Sequence, residues 1–117
     1  MDKQEVLKIL DRILDPDLRD RSIVEMGFVG EEDIDFSDEE LRVFYTVGGP
    51  LCPYSAAVGI LIHHTLSQVF HKRIKVRMKK GHYQQELVNQ ILEDEKQFNQ
   101  WFEKIKDRNL LATCMRP

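Results

Sequence analysis

The chain contains two cysteines, Cys52 and Cys114, and Cys52 has the more suggestive neighbours. It lies in Val47-Gly48-Gly49-Pro50-Leu51-Cys52-Pro53-Tyr54-Ser55, between an alternating apolar pattern and a long apolar run. Proline suits the first helical position, because the N–H it lacks would be orphaned there anyway, so Pro53 predicts a helix start. Cys52 then falls at or beside the N-cap, where unpaired backbone N–H groups and the positive end of the helix dipole meet its sulfur. Such surroundings lower a thiol pKa and favour the thiolate, which is both a nucleophile and a metal ligand. Gly48 and Gly49 let the backbone bend sharply and admit a close neighbour. The same spacing also fits a buried structural cysteine on an ordinary strand–helix turn.

Other groups could share that chemistry. Thiolate and imidazole suit zinc and iron–sulfur centres, so a site built from Cys52, Cys114 and one histidine is chemically reasonable. The chain has no Cys-x-x-Cys pair, so a closed structural metal site within one monomer is not expected. A site shared between two chains, or a transient one, is the form left open. His63 and His64 are adjacent in a helical run and point about 100° apart, so they cannot both serve one metal in the i, i+4 manner. His71 and His82 flank a third alternating segment. Carboxylates cluster in Glu31-Glu32-Asp33 and Asp38-Glu39-Glu40, as a solvated hairpin would have them. The segment from His71 to Lys80 is strongly basic. It reads either as a patch for an acidic partner or as the exposed face of an edge strand, where lysine discourages aggregation. The acidic balance of the whole chain favours the second. No Walker or Rossmann glycine loop is present, because Gly48-Gly49 lacks the further glycines and the Lys-Ser/Thr those motifs need.

These residues must be held by elements the periodicity predicts. Asp2 and Glu5 have capping-box spacing ahead of Val6, Ile9, Leu10 and Ile13, so a first helix should run to Leu14 or Asp15 and stop before Pro16. Asp15-Pro16-Asp17-Leu18 reads as a turn. A first strand should begin near Phe28 and continue through Ile34 and Phe36. Leu41, Val43, Tyr45 and Val47 alternate as a second strand, antiparallel to the first. Ser55 to Phe70 reads as a largely buried helix, and Ile74, Val76 and Met78 alternate as a third strand, parallel to the second. Leu87, Ile91, Phe98, Phe102 and Ile105 predict one long helix over 83–106, widened by Val88, Leu92 and Trp101. The expectation is a two-layer α+β domain of order α-β-β-α-β, with a three-stranded mixed sheet and a long C-terminal helix. Trp101 and Phe102 could anchor an interface or cover the sheet of their own domain.

The chain has 117 residues, 42% hydrophobic and 32% charged, with a net charge of −3. That suits one packed domain and argues against a general nucleic-acid binder. No stretch reads as a signal peptide or membrane span, so reduced cysteines and a cytoplasmic setting are expected.

Asp15-Pro16-Asp17, then Ser22 to Val29, then Pro50-Leu51-Cys52-Pro53 ahead of an apolar helix, together resemble the SufT/PaaD-like iron–sulfur assembly domain, over about Val6 to Met78. Beyond Gly81-His82, the segments Val88-Asn89-Gln90-Ile91, Asp94-Glu95-Lys96 and Asn109-Leu110-Leu111 with Cys114 are similar to the C-terminal part of the family's eukaryotic cytosolic members. The resemblance implies an assembly domain over 1–80 and a helical extension over 81–117, packed on it or exchanged between chains. It implies a non-enzymatic role in maturing iron–sulfur proteins, as a carrier of a transient cluster or metal ion, or as an adaptor between the assembly machinery and apo-targets. Cys52 matches the family's reactive cysteine and Asp15 the acid of its Asp-Pro element. Cys114 is a further candidate, and Gly48, Gly49, Pro50 and Pro53 form the supporting turn. Some members form homodimers; no nucleic acid or membrane is implied. The PaaD branch offers the alternative of an interaction subunit in an enzyme complex, with Cys52 structural.

Overall fold

A computed structural model of the chain describes residues 2–16, 20–48 and 54–115. The first helix, α1 (Lys3–Leu10), starts where its cap predicts: the Asp2 side chain accepts from the Glu5 N–H at 2.8 Å. Val6 and Leu10 are buried. The helix stops at Leu10, short of the expected Leu14 or Asp15. The cause is tertiary. Ile13 and Leu14 leave the helix to form isolated bridges with Met115 and Ser22. The Leu14 N–H donates to the Cys114 carbonyl at 2.7 Å, and the Asp15 N–H to the Arg21 carbonyl at 2.9 Å.

The first strand also begins later than the apolar residues suggest. Phe28 and Val29 are buried, but the chain turns on either side of them. Gly27 sits at φ 76°, a left-handed conformation that favours glycine. A 3-10 turn over Glu31–Asp33 follows, with the Gly30 N–H donating to Asp33 Oδ2 at 2.8 Å. Only then does β1 (Ile34–Phe36) start. It pairs antiparallel with β2 (Glu40–Tyr45), which pairs in parallel with β3 (Arg73–Met78), giving the order β1-β2-β3. Ile34 faces Val43 and Phe36 faces Leu41; Leu41, Val43 and Tyr45 face Ile74, Val76 and Met78. One face of this mixed sheet is therefore an apolar plane, while Arg42, Phe44, Arg73, Lys75 and Arg77 fall on the other. The fold is α+β, with the parallel third strand that the strand–helix–strand order predicts.

Connecting β2 to β3 is α2 (Ser55–Val69), buried from Ser55 through Ile62 and again at Thr65 and Leu66. It packs on β3 and meets α1 as well as the next two helices in the chain. Burying a Leu or Ile side chain is worth about 1.5–3 kcal/mol, so this helix is the main apolar contributor to the core. Among the described residues, no helix is long and apolar enough to cross a membrane.

The expected helix over 83–106 is two helices, α3 (Gln85–Glu93) and α4 (Glu95–Asp107). Asp94 lies between them in an extended conformation, and its carboxylate accepts from the Lys96 and Gln97 N–H groups. A short polar side chain that can satisfy the orphan donors of a helix start competes with helix continuation, and here it wins. The break resets the helical phase. Val88 and Ile91 are buried, while Leu87, predicted on the buried stripe, is exposed. Both helices lie against α2, and α3 also against β3. Asn109, left-handed at φ 60°, ends α4 and leads into α5 (Leu110–Thr113), which returns the chain to Ile13 through Met115.

Candidate functional site

Cys52, with Gly49, Pro50 and Pro53, lies outside the described residues. What can be built is the frame on either side. β2 ends at Tyr45, and the first helical residue of α2 is Ser55, with Tyr54 as N-cap. The helix thus begins two positions after the predicted start at Pro53, and Cys52 precedes the N-cap by two residues instead of standing at or beside it. The two ends are locked together. The Tyr45 hydroxyl donates to the Ser55 carbonyl at 2.7 Å, and its ring lies over Gly59 so closely that a Cβ there would sit 2.5 Å from Oη. A phenol from the last residue of β2 therefore fixes the first turn of α2, and with it the span of the connection carrying Cys52. Sequence reasoning missed this pair. Its signal was the one glycine inside the apolar first half of α2.

Gly48 does not need to be glycine for the reasons expected. Its φ is outside the left-handed region, and a Cβ would meet nothing nearer than Phe28 at 3.7 Å, an ordinary contact. The Thr46 N–H donates to the Phe28 carbonyl at 3.0 Å, so the chain past β2 is steered by this hydrogen bond.

Asp15 and Cys114 are brought to the same place. Asp15 is buried, and Cys114 is fully so. They are joined through Leu14, whose N–H donates to the Cys114 carbonyl, and through the neighbouring Ile13–Met115 bridge. Thr113 Oγ1 lies 3.9 Å from Cys114 Sγ, and Thr65 Oγ1 of α2 lies 3.9 Å from Met115 Sδ. The Asp-Pro element and the C-terminal cysteine thus share one buried seam.

The histidines are used differently from a metal cluster. His63 packs edge-on against Phe98 with ring centroids 5.0 Å apart, and His64 against Phe102 at 5.1 Å. Both imidazole pKa values are lowered: His63 by burial first, then by His64 and Arg77, and His64 by burial. His82 Nδ1 accepts from the Gln84 N–H at 3.0 Å, a local turn contact. Among the described residues, no three His, Cys, Asp or Glu side chains come together as a metal site. The acid runs instead meet cations: Asp33 pairs with Lys79 at 2.6 Å, and Asp35 with Arg42 at 2.8 Å.

Beside the first turn of α2 lies a cavity of about 360 Å³ walled by Tyr54, Ala57, Trp101, Ile105 and Leu110, with Lys104 and Arg108 at its polar side. Trp101 is half-buried here and carries the Lys104 ammonium 4.9 Å from its ring centre. It therefore covers α2 rather than the sheet. Of this wall, Tyr54 is the described residue nearest in sequence to Cys52. No protein-family model and no curated protein matches the chain.

Proposed function

We propose that the chain is a cytoplasmic, non-enzymatic factor in iron–sulfur protein maturation, and that it passes a metal ion or cluster to apo-targets through Cys52. The observation that carries the reading is where Cys52 falls in the chain order. It lies in the connection that leaves the carboxyl end of the central strand and enters the most buried helix. In open α/β sheets that end of the strands is where ligands bind. The resemblance of Asp15-Pro16-Asp17 and Pro50-Leu51-Cys52-Pro53 to the SufT/PaaD-like family points the same way. Cys114 is enclosed in the seam with Leu14, so Cys52 is the residue on which the reading turns. The ion or cluster is cargo: the donor or acceptor protein supplies the ligands that complete its coordination, and it moves on by ligand exchange.

Anaerobic reconstitution with iron and sulfide, followed by transfer to an apo-ferredoxin, tests this. The wild-type protein and Cys114→Ser should acquire iron and visible absorbance and pass them on. Cys52→Ser should do neither while keeping its melting temperature. Equal iron uptake by Cys52→Ser would overturn the proposal.

A further inference from the structure

The cavity beside the first turn of α2 combines an apolar interior with charge of one sign at its rim. Ala57 of α2, Ile105 of α4 and Leu110 of α5 all line it and are 3%, 2% and 3% exposed. Two part-buried rings, Tyr54 and Trp101, complete the apolar lining. Each contributing element is fixed by contacts of its own. The Tyr45 hydroxyl holds the first turn of α2 through the Ser55 carbonyl. The Arg108 N–H donates to the Lys104 carbonyl at 3.0 Å and closes α4, and Asn109, left-handed, turns the chain into α5. The volume of about 360 Å³ lies at the lower end of the range of about 300–1,000 Å³ usual for ligand sites, the size of a molecule of roughly one or two rings.

The rim carries two cations, Lys104 in the last turn of α4 and Arg108 at its C-cap, both exposed. Among the described residues, no Asp or Glu lines the cavity. Several cations elsewhere are paired: Arg42 with Asp35 at 2.8 Å, Arg77 with Glu93 at 3.0 Å, and Lys79 with Asp33 at 2.6 Å. On α4 itself, Lys106 lies 3.7 Å from Glu103. Lys104 and Arg108 have no carboxylate partner among the described residues. The Lys104 ammonium instead sits 4.9 Å from the Trp101 ring centre, a cation–π contact that keeps it beside the indole at the cavity. A cation in the last turn also meets the carbonyl end of its helix favourably. Lys106 fills that role as well, and it requires no cavity.

We propose that this cavity binds a small aromatic carboxylate. The ring of the ligand occupies the apolar interior against Ala57, Ile105 and Leu110, with Tyr54 and Trp101 as its aromatic neighbours. The carboxylate stays at the rim and accepts from the Lys104 ammonium and the Arg108 guanidinium, whose planar fork matches a carboxylate. Both parts of the ligand are needed. A neutral ring leaves the two cations without a counter-charge, an anion without a ring gains nothing from the buried interior, and a cationic ring is repelled. Binding is non-covalent. The site is independent of what Cys52 carries, and it gives Trp101 a use beyond covering α2.

Trp101 is the only tryptophan of the chain, so its indole N–H resonance reports on this cavity without ambiguity. The test titrates the full chain with 2-naphthoate, with the uncharged 2-naphthalenemethanol, with the cationic 2-naphthylmethylamine and with acetate. Calorimetry should give saturable binding of one naphthoate per chain, and the Trp101 indole and Ala57 methyl resonances should shift in step with it. The alcohol should bind about tenfold more weakly, and the amine and acetate should not bind measurably. Joint Lys104→Gln and Arg108→Gln substitution removes both charges at exposed positions and spares the core. It should lower naphthoate affinity about tenfold, to that of the alcohol, as loss of charge-assisted contacts requires. The affinity of the alcohol for the same variant should not change, which reads out the intact cavity. The proposal is overturned by absence of saturable naphthoate binding, by equal affinity for the alcohol or the amine, or by binding that leaves the Trp101 and Ala57 resonances unmoved. Unchanged naphthoate affinity in the double variant also overturns it. So does an equal loss of alcohol binding there, because the two cations then shape the cavity and do not pair with the carboxylate.

Discussion

The two surfaces of α2 are held by different physics. Towards the sheet, α2 is locked by shape: the Tyr45 ring fills the space that a side chain at residue 59 would need, and its hydroxyl closes on the Ser55 carbonyl. Towards α4, the contact is two imidazoles on two phenyl rings, His63 on Phe98 and His64 on Phe102, all part-buried at a polar boundary. The first seam leaves no room for a side chain at residue 59. The second carries two groups that can charge.

Substitution at Gly59 should have the largest effect. Gly59→Ala places a methyl where Tyr45 Oη now lies, and overpacking of this kind costs about 1–3 kcal/mol. Urea denaturation should show that loss. Combining it with Tyr45→Phe should cost less than the sum of the two, because the phenol oxygen is the nearest clash. Strict additivity would mean the seam is not a steric lock.

Asn89→Ala probes the closure of the β3 edge by the cover. It leaves the Met78 N–H without its 2.7 Å partner, and a lost hydrogen bond of this kind costs about 0.5–1.5 kcal/mol. Exchange at the Met78 amide should accelerate, while the Lys75 and Arg77 amides stay protected. A Met78 amide that exchanges no faster in the variant would show that Asn89 does not close the edge.

The acid response should be smaller and confined to the outer seam. Both histidines have folded-state pKa values below the ordinary 6.5, for which burial is the largest cause. The unfolded chain therefore binds more protons between those folded values and 6.5. The stabilising contribution is fully present above the unfolded value and is lost as pH falls through the folded ones. Groups facing this pair include Arg77, which opposes protonation of His63, and the Ile74 backbone, which favours it. Ser67 Oγ lies 3.4 Å from His63 Nδ1. Melting temperature measured from about pH 7.5 to pH 5 should fall, and substitution of both histidines by glutamine should flatten the slope. An unchanged slope would move the titration elsewhere.

Gly48→Ala should be nearly silent, within about 0.5 kcal/mol, since its Cβ has room and no left-handed backbone is required. A large loss there would contradict the geometry on the strand side of the Cys52 connection.

Much of this frame was legible in the residues. Period-two alternation at Leu41-Val43-Tyr45 and Ile74-Val76-Met78 gives both central strands and their shared apolar face, because each side chain's direction follows from the pleat. The Asp2–Glu5 spacing gives the start of α1. Its end was not legible, because Ile13 is taken by Met115 at the far end of the chain and Leu14 by Ser22, and no helix-stop signal encodes those pairings. The break at Asp94 was encoded in its capping spacing, although the apolar stripe runs on across it. Asp94 with Gln97 has capping-box spacing, and the Gln97 amide does reach back to the Asp94 carboxylate at 3.2 Å. At the candidate site, motif order singles out Cys52 and Asp15, while the seam joining the Asp15 segment to Cys114 depends on long-range pairing.

The central claim is that Cys52 is a working thiolate and not a packing residue. Its most direct test is the alkylation rate of each cysteine in the native protein as a function of pH, assigned by mass spectrometry. An unperturbed thiol titrates near about 8.5. The account predicts that Cys52 reacts quickly with a midpoint below that value, while Cys114, fully buried, reacts slowly at every pH. Slow alkylation of Cys52, with a midpoint at or above the ordinary value, would contradict it.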